Sequence, residues 1–239
     1  MRCRLLRPLL PPLWLVLLAA APAEAGSLAV SPIRIELPPD GSPEVVHVRN
    51  GAVDSALVQV EAVAWGEDID TAPRADEIIA VPPVFELKGE GEQILRLALR
   101  KPLAGASEKA YRLLITEVPR EVSTPNALTF AVRLNLPIFV TPAGAVPEAE
   151  WSIRRSPDGE AELVLDNRGG AHLRVDGFEL RADGASTPLF SSEEIAYALA
   201  SDAMVWPLGQ PYAGLPPALQ VSARSNHGPL VAPVARAGG

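Results

Sequence analysis

The side chains able to do chemistry are few and scattered. His47, His172 and His227 stand far apart, and none lies at metal-ligand spacing from another histidine or from a cysteine. Glu67, Asp68 and Asp70 form a local acidic cluster, but they lack the twelve-residue calcium loop with its glycine and closing glutamate. A solvated loop is the expected reading. There is no G-x-S-x-G elbow, no phosphate-cradling glycine loop with lysine and no H-E-x-x-H. No catalytic residue, metal ligand, cofactor or small-molecule substrate is therefore expected. What the sequence does offer is main-chain hydrogen bonding along one stretch, Asn126 to Pro142.

In that stretch Leu128, Phe130, Val132, Leu134, Leu136, Ile138 and Val140 occupy every second position, with Thr129, Arg133 and Asn135 between them. Strict period two predicts a strand with one apolar face. At about 3.3 Å per residue it spans on the order of 40 Å, whereas a strand in a globular sandwich usually holds about five or six residues. One domain would not cover such a row. Pro137 has no N–H for a ladder and belongs on an edge strand or at a bulge, which leaves backbone free for another chain. The expected chemistry is an apolar sheet edge offered to a partner.

The rest of the chain must support that edge. Its 239 residues include 25 prolines and 18 glycines, 48% are apolar, and the net charge is -8. Such a length suits two domains of about 100 residues each, and the acidic balance argues against nucleic acid. Arg2, Arg4 and Arg7 precede an apolar run from Leu9 to Ala21 and then Ala23-Glu24-Ala25. These are the parts of a secretory signal peptide, expected to be cleaved after Ala25. The only cysteine, Cys3, falls within it, so the mature protein would have no thiol.

Alternating segments follow: Leu28 to Leu37, Glu44 to Asn50, Ser55 to Trp65, Ile78 to Leu87, Gln93 to Leu99 and Ala110 to Val118. In the first, Ile33, Ile35 and Leu37 share one face and Arg34 and Glu36 the other. Asn50-Gly51 reads as a hairpin-type turn, and Pro82-Pro83 as a place where a strand switches sheets or sits at an edge. About seven strands before residue 143 predict an all-β sandwich. Residues 144–147 form a Pro/Ala/Gly hinge. Residues 148–235 restart the alternation as a second, smaller sandwich, in which Ser191 to Ala200 reads as a helical turn and residues 236–239 as a frayed tail.

Four segments together carry a resemblance: V-S-P-I-R-I-E-L, V-P-P-V-F-E-L followed by Q-I-L-R-L, Y-R-L-L-I-T-E-V-P, and the long strand ending in L-P-I-F-V-T-P. By these the chain resembles the PapD-like periplasmic pilus-assembly chaperones of the chaperone-usher route, in a divergent branch often called archaic or alternative. The resemblance implies two immunoglobulin-like domains set in an L (26–143 and 148–235), a periplasmic location, and no enzymatic activity. It also implies that pilus or fimbrial subunits are bound, folded and capped by donor-strand complementation, then passed to an outer-membrane usher. Leu128, Phe130 and Val132 would then be the donated side chains. Burying three such residues is worth roughly 5 to 9 kcal/mol before ordering costs. Arg34 matches the family arginine that anchors the subunit's C-terminal carboxylate. The family lysine falls at Pro137 here, so Arg133 or Asn135 would serve as an auxiliary anchor. Glu117 matches an acidic position that helps fix the interdomain angle, with Thr141 where a basic partner is expected.

Taken without the resemblance, the residues are compatible with two other readings. One is a periplasmic immunoglobulin-like interaction or structural protein without subunit capture; the other is a secreted hydrolase with scattered catalytic residues. An unoccupied apolar edge can also pair with its own copy, giving a self-capping dimer.

Overall fold

Proline marks where the strands of the first domain change sheets. In the computed structural model, which describes residues 28–66, 68–119 and 131–236, β1 (Leu28–Ser31) pairs antiparallel with β3 (Glu44–Asn50). Beyond Pro32, β2 (Ile35–Glu36) runs parallel to β9 (Arg133–Val140) in the opposite sheet. The segment expected to form one strand is therefore two, and Ile33, in the crossover, is 73% exposed while Ile35 and Leu37 are buried. The same manoeuvre recurs at Pro82-Pro83. There β5 (Ile78–Val81) ends one sheet and β6 (Val84–Leu87) ends the other, so that pair both switches sheets and lies at two edges. A residue without an N–H costs least at such places.

Two sheets result. One has the order β1-β3-β7-β5, with β7 at Glu92–Leu99. The other has the order β2-β9-β8-β4-β6, with β4 at Ala56–Ala64 and β8 at Lys109–Val118. Their inner faces meet in one core in which Ile35, Val46, Leu95, Leu97, Leu113, Ile115 and Ile138 lose all contact with water. Each such burial contributes about 1.5 to 3 kcal/mol.

Asn50-Gly51 is not a hairpin turn. β3 and β4 belong to opposite sheets, and the buried Asn50 holds the corner between them. Its Nδ2 donates to the carbonyl of Asp54 at 2.8 Å, and its Oδ1 accepts from the Ala52 N–H at 3.0 Å.

The second sandwich pairs a sheet of order β15-β11-β10-β18 with one of order β13-β12-β16-β17. The first comprises β10 (Ala149–Arg155), β11 (Glu160–Asn167), β15 (Asp202–Pro211) and β18 (Ala235–Arg236). The second comprises β12 (Leu173–Ala182), β13 (Phe190–Ser192), β16 (Leu219–Ser225) and β17 (Gly228–Pro233). Trp151, Ile153, Leu163, Leu165, Val175, Leu180 and Trp206 fill its core. The segment from Ser191 to Ala200 is not helical. It carries the end of β13 and then β14 (Ala196–Ala198), both paired with β12. Asn167, fully buried, repeats the part of Asn50: its Nδ2 bonds the carbonyls of Ala171, Ala198 and Leu199, at 2.8 to 2.9 Å.

Candidate functional site

The phase of the ladder decides which backbone groups of β9 are free. The Glu117 N–H donates to the Val132 carbonyl across β8 and β9, and the Leu37 N–H donates to the Phe139 carbonyl from the other side, both at 2.8 Å. Both groups of a strand residue point to the same side, and the sides alternate along the strand. Leu134, Leu136 and Ile138 therefore bond β8, whereas Arg133, Asn135, Pro137 and Phe139 turn their backbone groups outward. β2 reaches only Ile138 and Phe139. Among the described residues no strand covers the edge from Arg133 to Pro137. The missing N–H of Pro137 faces that open edge, where it breaks no ladder bond.

Side chains divide the same way. Leu136 and Ile138 point into the core and Leu134 packs partly against it, while Arg133, Asn135 and Pro137 lie on the outer face. Val132 is half-buried. Leu128 and Phe130 lie outside the described residues.

Two arginines flank Pro137 on the outer face. Arg34 immediately precedes β2, and the parallel register, with Ile35 opposite Ile138, sets it beside Pro137. Its Nε meets Glu36 Oε1 at 2.9 Å. On the other side Arg112 of β8 stands directly opposite Pro137. Pairs without ladder bonds bring side chains closest, and this is such a pair. The guanidinium of Arg112 lies 3.7 Å from the centroid of the Trp65 ring, a cation–π contact. Among the described residues no carboxylate bonds it, and its buried Nε has no hydrogen-bond partner. Burial pulls its pKa below the usual arginine value, opposed by the Tyr197 phenol.

Sequence reasoning passed over Arg112. Its place in Y-R-L-L-I puts it on the polar face of β8, but only the cross-strand register puts it opposite Pro137. The two expected auxiliaries lie farther along the strand. Arg133 pairs with Asp70 of the acidic loop, and Asn135 is exposed. Among the described residues no group of three or more histidine, cysteine, aspartate or glutamate side chains could hold a metal ion.

Two residues beyond Pro137 the same face is closed by the second domain. Phe139 stacks on His172, with ring centroids 3.7 Å apart and planes 12° apart, and Trp65 and Tyr197 complete the cluster. Glu108 Oε2 accepts from Thr141 Oγ1 at 2.7 Å and lies 2.9 Å from His172 Nδ1, and the His172 N–H donates to Glu108 Oε1 at 3.1 Å. The two side chains are 1% and 7% exposed. The acid at the domain junction is thus Glu108, not Glu117, which lies at the far end of β8 opposite Val132. Gly169 and Gly170 allow the close approach: a Cβ on Gly169 would fall 2.3 Å from the Val146 carbonyl oxygen.

Comparison with known proteins gives the architecture its kin. No curated protein sequence matches the chain. A chain of the CsuC–CsuE chaperone–tip adhesion subunit pre-assembly complex from archaic chaperone-usher Csu pili of Acinetobacter baumannii superposes with a TM-score of 0.66 at 20% identity, covering 89% of this chain and 100% of that one. A chain of the Salmonella enterica SafA pilin–SafB chaperone complex gives 0.63 at 15%, covering 88% and 98%. The periplasmic chaperone SfaE gives 0.58 at 15%, covering 87% and 100%. At these identities the likeness is one of fold. Residues 27–146 match the family described as pili and flagellar-assembly chaperone, PapD N-terminal domain. That match spans every strand of the first sandwich, and the chain accordingly belongs to the PapD-like pilus-assembly chaperones, a non-enzymatic family.

Proposed function

We propose that this protein captures a pilus or fimbrial subunit in the periplasm by lending it the edge of β9, and hands the subunit to an outer-membrane usher. The observation that carries the reading is the backbone edge from Arg133 to Pro137, which no strand covers among the described residues, lying on a strand whose inner residues pack into the protein's own core. A subunit lacking one strand would bond the outward groups of Arg133 and Asn135. Leu128, Phe130 and Val132 would fill its groove. Main-chain bonds give such a pairing affinity, and alternate side chains give it specificity.

The anchor for the subunit's terminal carboxylate is Arg34, with Arg112 as the second cation in place of the family lysine. A guanidinium suits a carboxylate through its planar fork, and among the described residues Arg112 is held by the Trp65 ring rather than by a carboxylate. Arg133, already paired with Asp70, is the weaker auxiliary, and Asn135 carries no charge. The domain limits that follow are residues 26–143 and 148–235 joined by 144–147, after a leader ending at Ala25. A self-capped dimer would be the resting form when no subunit is present.

Co-expression of the full chain with candidate pilus or fimbrial subunits tests the reading. The expected product is a one-to-one complex by native mass spectrometry. If the protein purifies alone from every such pairing, with its fold intact, it is an immunoglobulin-like protein without subunit capture.

A further inference from the structure

Alternation in R-I-E puts Arg34 and Glu36 on the same face, and the structure joins them, Nε to Oε1, at 2.9 Å. The side chains are 37% and 49% exposed, so water and solutes reach both. The chain's own carboxylate thus sits on the arginine assigned to a subunit's carboxylate. We propose that Glu36 is the resident occupant of the anchor, and that an incoming terminal carboxylate displaces it with uptake of a proton. This rests on Arg34 being the anchor, as argued above, and adds how that anchor is regulated.

The surroundings of Glu36 give the direction. It stands beside Phe139 in the β2–β9 register, toward the domain junction. Burial raises its pKa above the ordinary 4.5, Arg34 and His172 lower it, and Glu108 raises it. Among the described residues those three are the charged or titratable groups that face it: Arg34 from its own segment, Glu108 from ahead of β8, and His172 from ahead of β12. When a second carboxylate takes Arg34, Glu36 loses its main counter-charge and gains an anionic neighbour. Both changes favour its protonated form. Linkage is reciprocal, so whatever raises proton affinity on binding makes acid tighten binding.

Acetate, at constant ionic strength, is a sufficient carboxylate probe. The readout is the side-chain Nε–H resonance of Arg34 by NMR in the full mature chain, identified by its loss in Arg34→Lys. With affinities referred to ionised acetate, the wild type should bind about fivefold more tightly at pH 5.5 than at pH 7.5. Glu36→Gln should bind about threefold more tightly than the wild type at pH 7.5 and change little with pH. A pH slope that survives in Glu36→Gln, or weaker binding in that variant, would overturn the inference. If acetate moves the Arg34 resonance in neither protein, the anchor reading itself fails.

Discussion

Pro137 and Phe139 are two residues apart on one face of β9, and their surroundings are opposites. Around Phe139 the face is finished: β2 covers the strand edge, His172 lies flat on the ring, and the carboxylate of Glu108 is matched by a histidine, a hydroxyl and a backbone N–H. Around Pro137 it is unfinished. Among the described residues the edge lacks a neighbour, Arg112 has a buried nitrogen without a hydrogen-bond partner, and Arg34 is paired with a half-exposed glutamate. An incompletely satisfied polar group is costly to retain inside a protein. On the reading proposed above, that difference within two residues is where a partner would complete the surface.

The largest way to break this contrast is at the finished end. His172→Ala would leave the Glu108 carboxylate, 1% exposed, without its ring partner. Losing one member of a buried pair costs about 3 to 5 kcal/mol, so denaturant unfolding should show a loss of that size, concentrated in the coupling of the two sandwiches. The unfinished end should respond differently. Arg112→Ala removes a cation that no carboxylate bonds among the described residues, and stability should fall by about 1 to 2 kcal/mol, the worth of its contact with Trp65. Subunit binding should fall by about tenfold to a hundredfold, the worth of a charge-assisted hydrogen bond, as read by isothermal titration with a subunit peptide ending in a free carboxylate. Arg34→Ala should do the same. If either arginine variant markedly destabilises the protein without weakening capture, that arginine is structural.

The smallest effect sharpens the boundary between the two ends. Because Glu36 has a raised pKa in the folded protein, its ionised form is disfavoured by folding. Glu36→Gln should therefore raise the thermal midpoint slightly at pH 7.5, and the gain should vanish as pH falls below 4.5, where the unfolded carboxyl is itself protonated. Scanning calorimetry across that range reads the sign. A gain that grows toward acid would contradict it.

The legibility of these features in the sequence follows their range. β9 could be read because seven apolar residues keep one period through Pro137, and Pro82-Pro83 announced a change of sheet through the missing donors. Pro32 carried the same signal within V-S-P-I-R-I-E-L, but unbroken alternation around it suggested one strand. Asn50-Gly51 and the segment near Ser191 were misread because local turn and helix signals yield to tertiary partners. Asn50 is buried and holds a corner between sheets, and Ala196–Ala198 bonds β12. Glu108 and Arg112 left the weakest trace. The first is defined by a histidine 64 positions away, the second by standing opposite Pro137. Neither relation exists until the strands are in register.

On the proposed reading, the apolar row leading into β9 belongs in another protein's interior. Phe130→Asp tests it most directly, measured twice on one preparation: unfolding of the free protein, and capture of a co-expressed subunit. The expected result is an unchanged unfolding midpoint with capture abolished, since a carboxylate cannot be desolvated in an apolar groove. An unfolded or strongly destabilised free protein would show that Phe130 serves its own core, and the contrast between the two ends of the strand would lose its meaning.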